Sequence, residues 1–278
     1  MDMQIVSLNM AGWNWRLSKE TWNDRLERIC EYIKSKSSNP FLIGFQECQL
    51  SGGRYKKVLE KHFPDYYIVL PKGYNNQPKS VISILLINKS FCSSYSLMEL
   101  DNLEKNLRYN YVNINTHVEG LCFRILNTNI PHTCYKKSAE WFQEERRELR
   151  ETFIKDIKEL AQTYCNEQKL NFICLGDYNS HPEDPFIEFL AYNDDKPMMD
   201  AIKPADKNKV TWYNNVIKSK NRLDYIFYSL SMLKNTGLSA KFTIIDDTTI
   251  TAKMSDHVAL IGGVSYDLLD RKCFDNIK

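Results

Sequence analysis

The sequence predicts an α/β protein in which β-sheets pack on each other and carry helices outside. Three observations lead there. Short apolar runs that read as buried strands recur along the whole chain, and segments with apolar residues at helical spacing lie between them. Polar residues gather where the strands end. Sheets stacked face to face with helices over them bury such a pattern, and hairpins mixed with helical crossovers exclude a purely parallel sheet.

Residues 4–8 form a short apolar strand that runs into Asn9, and residues 12–16 make a loop holding Trp13 and Trp15. Trp22, Leu26, Ile29, Cys30 and Ile33 recur at helical spacing, which predicts an amphipathic helix over about 19–36 with Ser18 as its N-cap. Residues 41–45 are a second buried strand, ending in Gln46-Glu47, and a shorter helix covers about 53–62. After a polar loop at 72–80, residues 81–87 are almost wholly apolar and read as a central strand. Residues 109–118 and 121–128 make a hairpin around Glu119-Gly120, and its second arm runs into Asn129-Ile130-Pro131-His132.

The longest helical pattern, 138–164, buries Leu149, Phe153, Ile157 and Leu160 or Ala161. It leads to Phe172-Ile173-Cys174-Leu175-Gly176-Asp177-Tyr178-Asn179-Ser180. Four apolar residues there read as a buried strand, and a Gly lets the backbone turn before Asp177 and Asn179, which point the same way. A short helix from about Pro185, Thr211-Trp212, strands at 223–228 and 242–245, Ser255-Asp256-His257 and a last strand at 258–264 complete the chain. With no repeat, low-complexity tract or linker, residues 1–278 are expected to form a single domain.

A chain of 278 residues buries about three quarters of its unfolded surface and needs no covalent staples. With 43% hydrophobic and 26% charged residues it is composed like a globular protein. Its net charge of +2 means that attraction to a polyanion has to come from local patches. The eight Cys include no CxxC pair, and most sit in apolar segments, as Cys30, Cys122 and Cys174 do. No signal-peptide pattern opens the sequence and no apolar run is long enough to span a membrane. The expectation is a cytoplasmic protein with reduced thiols, no membrane association and no obligate protein partner.

Asn9, Glu47, Asn129 with His132, and Asp177 with Asn179 all fall at strand ends, and Asp256-His257 stands just before a strand. Asp224 lies among apolar residues in Arg222-Leu223-Asp224-Tyr225-Ile226-Phe227 and needs a partner if it is buried charged; a His is the expected one. Each residue alone also fits an ordinary structural role: Asn9, Asn129 and the Gly-Asp-x-Asn stretch as turns, Glu47 as a surface charge, Asp224 as a surface partner of Arg222, His257 as a structural histidine. Together they make a different set. Glu47 and Asp256 are hard oxygen ligands suited to Mg²⁺ or Mn²⁺. Asn side chains donate to phosphate oxygens without adding charge. Asp177 is suited to orienting or deprotonating a water, and a His257 oriented by Asp224 to acting on the phosphoryl group or as a base. Such a set serves metal-assisted hydrolysis of a phosphate ester.

In order, Leu8-Asn9, Phe45-Gln46-Glu47, Gly176-Asp177-Tyr178-Asn179, Thr211-Trp212, Arg222-Leu223-Asp224-Tyr225-Ile226 and Ser255-Asp256-His257 resemble the motifs of the endonuclease/exonuclease/phosphatase (DNase I-like) superfamily, over residues 4–264. The resemblance implies a four-layer α/β sandwich with the site at one end of two packed sheets. It implies Glu47 as principal metal ligand, Asn9 beside metal and phosphate, Asp177 at the nucleophile, Asn179 on a phosphoryl oxygen, Asp224 orienting His257, and Asp256 near the metal. One position departs: where many members carry His in Asn-Thr-His, this chain reads Asn127-Thr128-Asn129-Ile130. Either His132 supplies the missing donor or that corner is weakened.

For the substrate, Lys136-Lys137, Arg146-Arg147, Lys218, Lys220 and Arg222 grip a phosphate backbone if they ring the site; Arg146-Arg147 equally fit a solvated helix face. Trp13, Trp15 and Trp212 can stack on bases or pack inside. The first reading is a Mg²⁺-dependent phosphodiesterase of nucleic acid, DNA or RNA, including end processing. The alternatives are a phosphatase or phospholipase acting on inositol phosphates or phospholipid, and a binding module that kept the fold. Asn221-Arg222-Leu223-Asp224 lacks the Trp-Cys-Asp-Arg run of inositol polyphosphate phosphatases.

Overall fold

The computed structural model describes residues 2–11, 21–49, 54–74, 81–103, 106–118, 121–132, 140–166, 171–192, 197–202, 210–214, 219–229, 239–244 and 255–265. Two six-stranded mixed sheets pack face to face. The first holds β1 (Asp2–Asn9), β2 (Leu42–Gln49), β3 (Tyr66–Val69), β4 (Val81–Asn88), β13 (Ser239–Ile244) and β14 (Leu260–Ser265), in the order β13-β14-β1-β2-β4-β3. The second holds β5 (Cys92–Met98), β6 (Tyr109–Thr116), β7 (Cys122–Asn129), β8 (Asn171–Asp177), β9 (Met198–Asp200) and β12 (Asp224–Ser229), in the order β5-β6-β7-β8-β12-β9. A small ribbon, β10 (Trp212–Asn214) with β11 (Ser219–Asn221), stands apart.

Three buried clusters separate four layers. Between the sheets lie Met3, Ile5, Leu42, Leu85, Phe123, Ile125, Ile173, Leu175, Ile226 and Tyr228. The opposite face of the first sheet, with Val6, Leu8, Ile43 and Phe45, packs on α1 (Trp22–Lys36) and α2 (Arg54–His62). The opposite face of the second, with Leu126, Phe172, Cys174, Tyr225 and Phe227, packs on α3 (Glu140–Asn166), the single turn α4 (Pro185–Ile187) and the π-helical turn Glu188–Tyr192. This is the expected four-layer sandwich. No described helix is long and apolar enough to cross a membrane. The described cysteines, Cys30, Cys48, Cys92, Cys122 and Cys174, are free thiols.

Several local expectations shift. The helix predicted from residue 19 begins at Trp22, and its N-cap is Thr21 rather than Ser18. Thr21 Oγ1 accepts from the Asp24 backbone N–H at 3.3 Å and donates to the Asp24 carboxylate at 2.6 Å, a reciprocal cap that also places an acid in the first turn. The edge strands β3 and β5 are absent from the sequence reading. β5 has a largely exposed Cys92–Met98 segment, so it carries no apolar run to announce it. Trp13, Trp15, Ser18, Lys136, Lys137 and Lys218 lie outside the described residues.

Strand alternation decides which side chains reach the seam between the sheets. Met3 and Ile5 face inward on β1, so Ser7 and Asn9 follow. Ile173 and Leu175 bring Asp177 inward, Phe123 and Ile125 bring Asn129, and Ile226 and Tyr228 bring Asp224. Asn129, Asp177 and Asp224 also share one row, because Asn129 pairs with Asp177 across parallel strands and Asp177 with Asp224 across antiparallel ones.

Gly176 makes that row possible. Its φ is +135°, and a Cβ there would lie 1.9 Å from the Thr128 carbonyl oxygen of the adjacent strand. Gly176→Ala is therefore expected to cost about 3 kcal/mol or more of folding stability, from the backbone conformation and the clash together. Urea denaturation measures this, and a loss below about 1 kcal/mol would contradict the account.

Candidate active site

The polar seam begins below the surface. Gln46 Nε2 donates to Asn127 Oδ1 at 2.6 Å and to Ser7 Oγ at 3.2 Å, while Asn127 Nδ2 donates to the Ile84 carbonyl at 3.0 Å and to Asn110 Oδ1 at 3.1 Å. This network ties the sheets together where their apolar core ends, and the charged groups sit on top of it.

Glu47 reaches the seam by an irregularity. Ile43 and Phe45 face the helices, so strict alternation would send Glu47 the same way. The register against β4 shifts between Phe45 and Cys48, and Glu47 has a φ of +53°. The bulge turns the carboxylate toward the second sheet, where Glu47 Oε1 accepts from Asn129 Nδ2 at 3.2 Å. Asn179, with φ +48°, is likewise left-handed. Two backbone conformations that cost energy thus fall on two site residues.

Asp177 is 2% exposed. Its Oδ2 accepts from Asn9 Nδ2 at 2.9 Å and from Asn179 Nδ2 at 3.0 Å, and its Oδ1 accepts from the Asn179 backbone N–H at 2.9 Å. Burial pushes its carboxyl up, His257 pulls it down, and Asp224 and Glu47 push it up again; the balance lies at about 7.

Asp224 has the histidine partner anticipated for it: His257 Nδ1 lies 2.8 Å from Asp224 Oδ2, both residues being buried. Thr211 holds this pair in place. Its Oγ1 accepts from the Leu223 and Asp224 backbone N–H groups at 2.9 and 3.1 Å, and its carbonyl accepts from Val258 N–H at 2.8 Å. Burial alone would discharge His257, but Asp224, with Asp177 and Asp256 behind it, outweighs burial and raises its pKa to about 10. Asp256 Oδ2 accepts from the Trp212 indole N–H at 3.3 Å, and Asp256 Oδ1 is buried with no hydrogen bond.

The structure brings Asn9, Glu47, Asn129, Asp177, Asn179, Asp224, Asp256 and His257 together, and it shows hydrogen bonds within the protein for several of them. Asn9 was read as a metal and phosphate contact, yet its Oδ1 accepts from Ala11 N–H at 2.9 Å and its Nδ2 serves Asp177. Asn179 was read as a phosphoryl donor, but its amide is spent on Asp177 and on the Ile130 carbonyl at 2.9 Å. Trp212 was read as a substrate contact and instead is half-buried on Asp256.

Arg222, also read as a substrate contact, is 2% exposed and forks onto Asp200 Oδ1 and Oδ2 at 2.7 and 2.6 Å. The carboxylate of β9 draws it inward, and its guanidinium lies 4.4 Å from the Tyr225 ring, on the face away from the seam. His132 is exposed. Partial desolvation and the charges of Arg150, Arg146 and His181 hold its imidazole below the usual value. The cation set against Asn129 is instead Arg108, whose Nη1 donates to Asn129 Oδ1 at 3.0 Å.

Arg108 was missed because it precedes a strand rather than ending one. Extending the hairpin register by one step beyond the Tyr109–Thr128 pair would have placed it beside Asn129. Arg150 of α3 was missed as well. It donates to the Pro131 and Tyr178 carbonyls at 3.1 and 3.2 Å, joining the loops that follow β7 and β8.

The donors fit a hard divalent cation. Glu47 and Asp256 offer carboxylate oxygens, and the buried Asp256 Oδ1 has no hydrogen bond within the protein, only His257 Nε2 at 4.0 Å. Among the described residues, the one group of three ligand side chains with atoms within 4.8 Å of one another is Glu27, Glu31 and His62, on α1 and α2. A site of one or two carboxylates completed by water and substrate oxygens is the arrangement Mg²⁺ ordinarily takes.

Sequence comparison finds no matching family model and no matching curated protein. Structure comparison does. A humanised D. rerio TDP2 matches with TM-score 0.64 and 16% identity, over 95% of this chain and 99% of that one. The chain has the endonuclease/exonuclease/phosphatase fold. An endonuclease/exonuclease/phosphatase from Bacteroides vulgatus matches with TM-score 0.66 and 16% identity, over 96% of this chain and 100% of that one. ANGEL2, described as a 2',3'-cyclic phosphatase, matches with TM-score 0.65 and 15% identity, over 96% of each chain.

The His257 environment has a measurable consequence. An unfolded imidazole loses its proton near pH 6.5, whereas folded His257 keeps it to about pH 10. The stabilisation is complete below the lower value and is lost as pH rises toward the upper one. Asp224→Asn removes the charge responsible, so the fall in melting temperature between pH 7 and 10 should be shallower in the variant than in the wild type. Parallel profiles from calorimetry would contradict this.

Proposed function

We propose that the protein is a divalent-metal-dependent phosphodiesterase that hydrolyses phosphate esters of nucleic acid, with Mg²⁺ as the natural ion and Mn²⁺ as a substitute. The observation that carries this reading is geometric: the buried Asp177 carboxylate, held by Asn9 and Asn179, lies in the same seam as a histidine held by Asp224. That pairing puts a proton acceptor and a cationic donor in one seam on separate partners, Asp177 on two asparagine amides and His257 on Asp224.

Asp177 takes the proton of the attacking water, while the Asn9 and Asn179 amides fix which way its oxygens face. His257, protonated near neutral pH, donates from Nε2 to a phosphoryl oxygen, since Nδ1 is committed to Asp224. Glu47 and Asp256 would hold the cation, which when bound would supply neutralisation of charge on the phosphoryl group.

Nucleic acid is favoured over other phosphate esters because one D. rerio TDP2 structure of this fold contains a single-stranded DNA product and ANGEL2 carries adenosine-2',3'-vanadate. The ANGEL2 complex favours one second reading, action on a terminal phosphate of RNA rather than an internal diester.

The test is a panel of single-stranded, double-stranded and end-adducted DNA, RNA, and RNA with a 2',3'-cyclic end. Turnover is expected with Mg²⁺ or Mn²⁺ and is abolished by EDTA. Glu47→Ala and Asp177→Asn are each expected to lower kcat by about 10³-fold or more, as removal of groups acting on the reacting atoms does. Undiminished turnover in either variant, or in EDTA, refutes the proposal.

A further inference from the structure

We infer that Arg108 is a positioning residue that fixes the orientation of the Asn129 side chain and thereby holds Glu47; the inference rests on the reading of this seam as a phosphodiesterase site. The segment reads Asn127-Thr128-Asn129-Ile130, which sets a carboxamide against Glu47. A carboxamide at that place has two orientations of nearly the same shape, one with its oxygen and one with its nitrogen toward Glu47. With the oxygen toward Glu47, two acceptors would face each other; with the nitrogen there, the amide donates to the carboxylate.

The surroundings choose between these. Arg108 offers only donors, and its Nη1 lies 3.0 Å from Asn129 Oδ1. That leaves Asn129 Nδ2 to face Glu47 Oε1 at 3.2 Å. Asn129 is 2% exposed, so water has little access to compete for its amide.

Arg108 is itself anchored through its backbone. Its carbonyl accepts from Asn129 N–H at 2.9 Å and from Ser83 Oγ at 2.7 Å, and its N–H donates to Asn106 Oδ1 at 2.9 Å. None of these anchors uses the guanidinium, so side-chain substitutions leave them in place. Glu47 gains most from the arrangement, since its left-handed backbone at a bulge leaves its direction to be set by partners across the seam.

The experiment compares Arg108→Met, Arg108→Lys, Asn129→Ala and the Arg108→Met/Asn129→Ala double variant, by steady-state kinetics and by NMR of the Asn129 side-chain NH₂ resonances, which Asn129→Ala identifies. Arg108→Met is expected to lower kcat by about 10- to 100-fold with KM little changed, the usual scale for a group that orients a metal-site ligand. It should also move or broaden the Asn129 resonances. Arg108→Lys, another pure donor, should restore most of both. The double variant should be no worse than Asn129→Ala alone, because the two residues act as one unit.

Losses that multiply in the double variant overturn the inference, as do Asn129 resonances unmoved by Arg108→Met. So does a rise in KM at constant kcat, which would make Arg108 a direct substrate contact. If the wild type hydrolyses no phosphate ester, the functional reading fails on its own, while the resonances still decide whether Arg108 orients Asn129.

Discussion

A carboxylate buried between two sheets is the constraint around which this structure is arranged. Asp177 is removed from water, so every favourable contact that keeps it usable has to come from the protein. Asn9 arrives from one sheet, Asn179 from the turn after β8, and His257 from the segment before β14. Asn9 and His257 are far from Asp177 in sequence, and only the packing of the sheets brings them to one place. The apolar core therefore works as a jig: its thickness and registers set the spacing of the polar groups at its end. The Gln46–Asn127 network is the transition between the two regimes, polar but fully enclosed.

Much of this was legible in the sequence, for physical reasons. Alternation in the apolar strands assigns Asn9, Asn129, Asp177 and Asp224 to one face, and a charged residue such as Asp224 set in an apolar run implies a partner. The order of the motifs then implied the fold. What escaped was whatever alternation does not govern. Glu47 stands at a strand end in the sequence, but the bulge that turns it from the helix side into the seam leaves no compositional mark in Phe45-Gln46-Glu47-Cys48. Arg222 read as a phosphate grip because its neighbours Lys218 and Lys220 are basic, but its true partner, Asp200, is contributed by a short strand with no strong pattern of its own.

The asparagines teach a related lesson. Asn9 and Asn179 carry the residue type suited to a phosphate, yet both side chains are consumed in orienting Asp177. A carboxamide has few hydrogen bonds to give, and where a buried anion is present it claims them first. Residue type and position marked these asparagines as belonging to the site. Their roles depended on which neighbour was more poorly solvated, a property of the assembled seam and not of any segment.

The placement of β1 carries a last implication. This first strand lies between β2 and β14, so it is completed by the most C-terminal described strand, and Ser255 Oγ closes on the Asn9 carbonyl at 2.6 Å. The end of β1 and the segment that leads into β14 meet at the site. During synthesis, β1 and β2 can pair early, but one edge of β1 stays open and His257 is absent until the final strand has emerged. Such long-range closure makes for slow folding and delays the whole constellation until β14 has been made. A nascent or prematurely terminated chain would thus own most of the acidic groups without the histidine that balances them, and would carry an unpaired strand edge in place of a finished sheet.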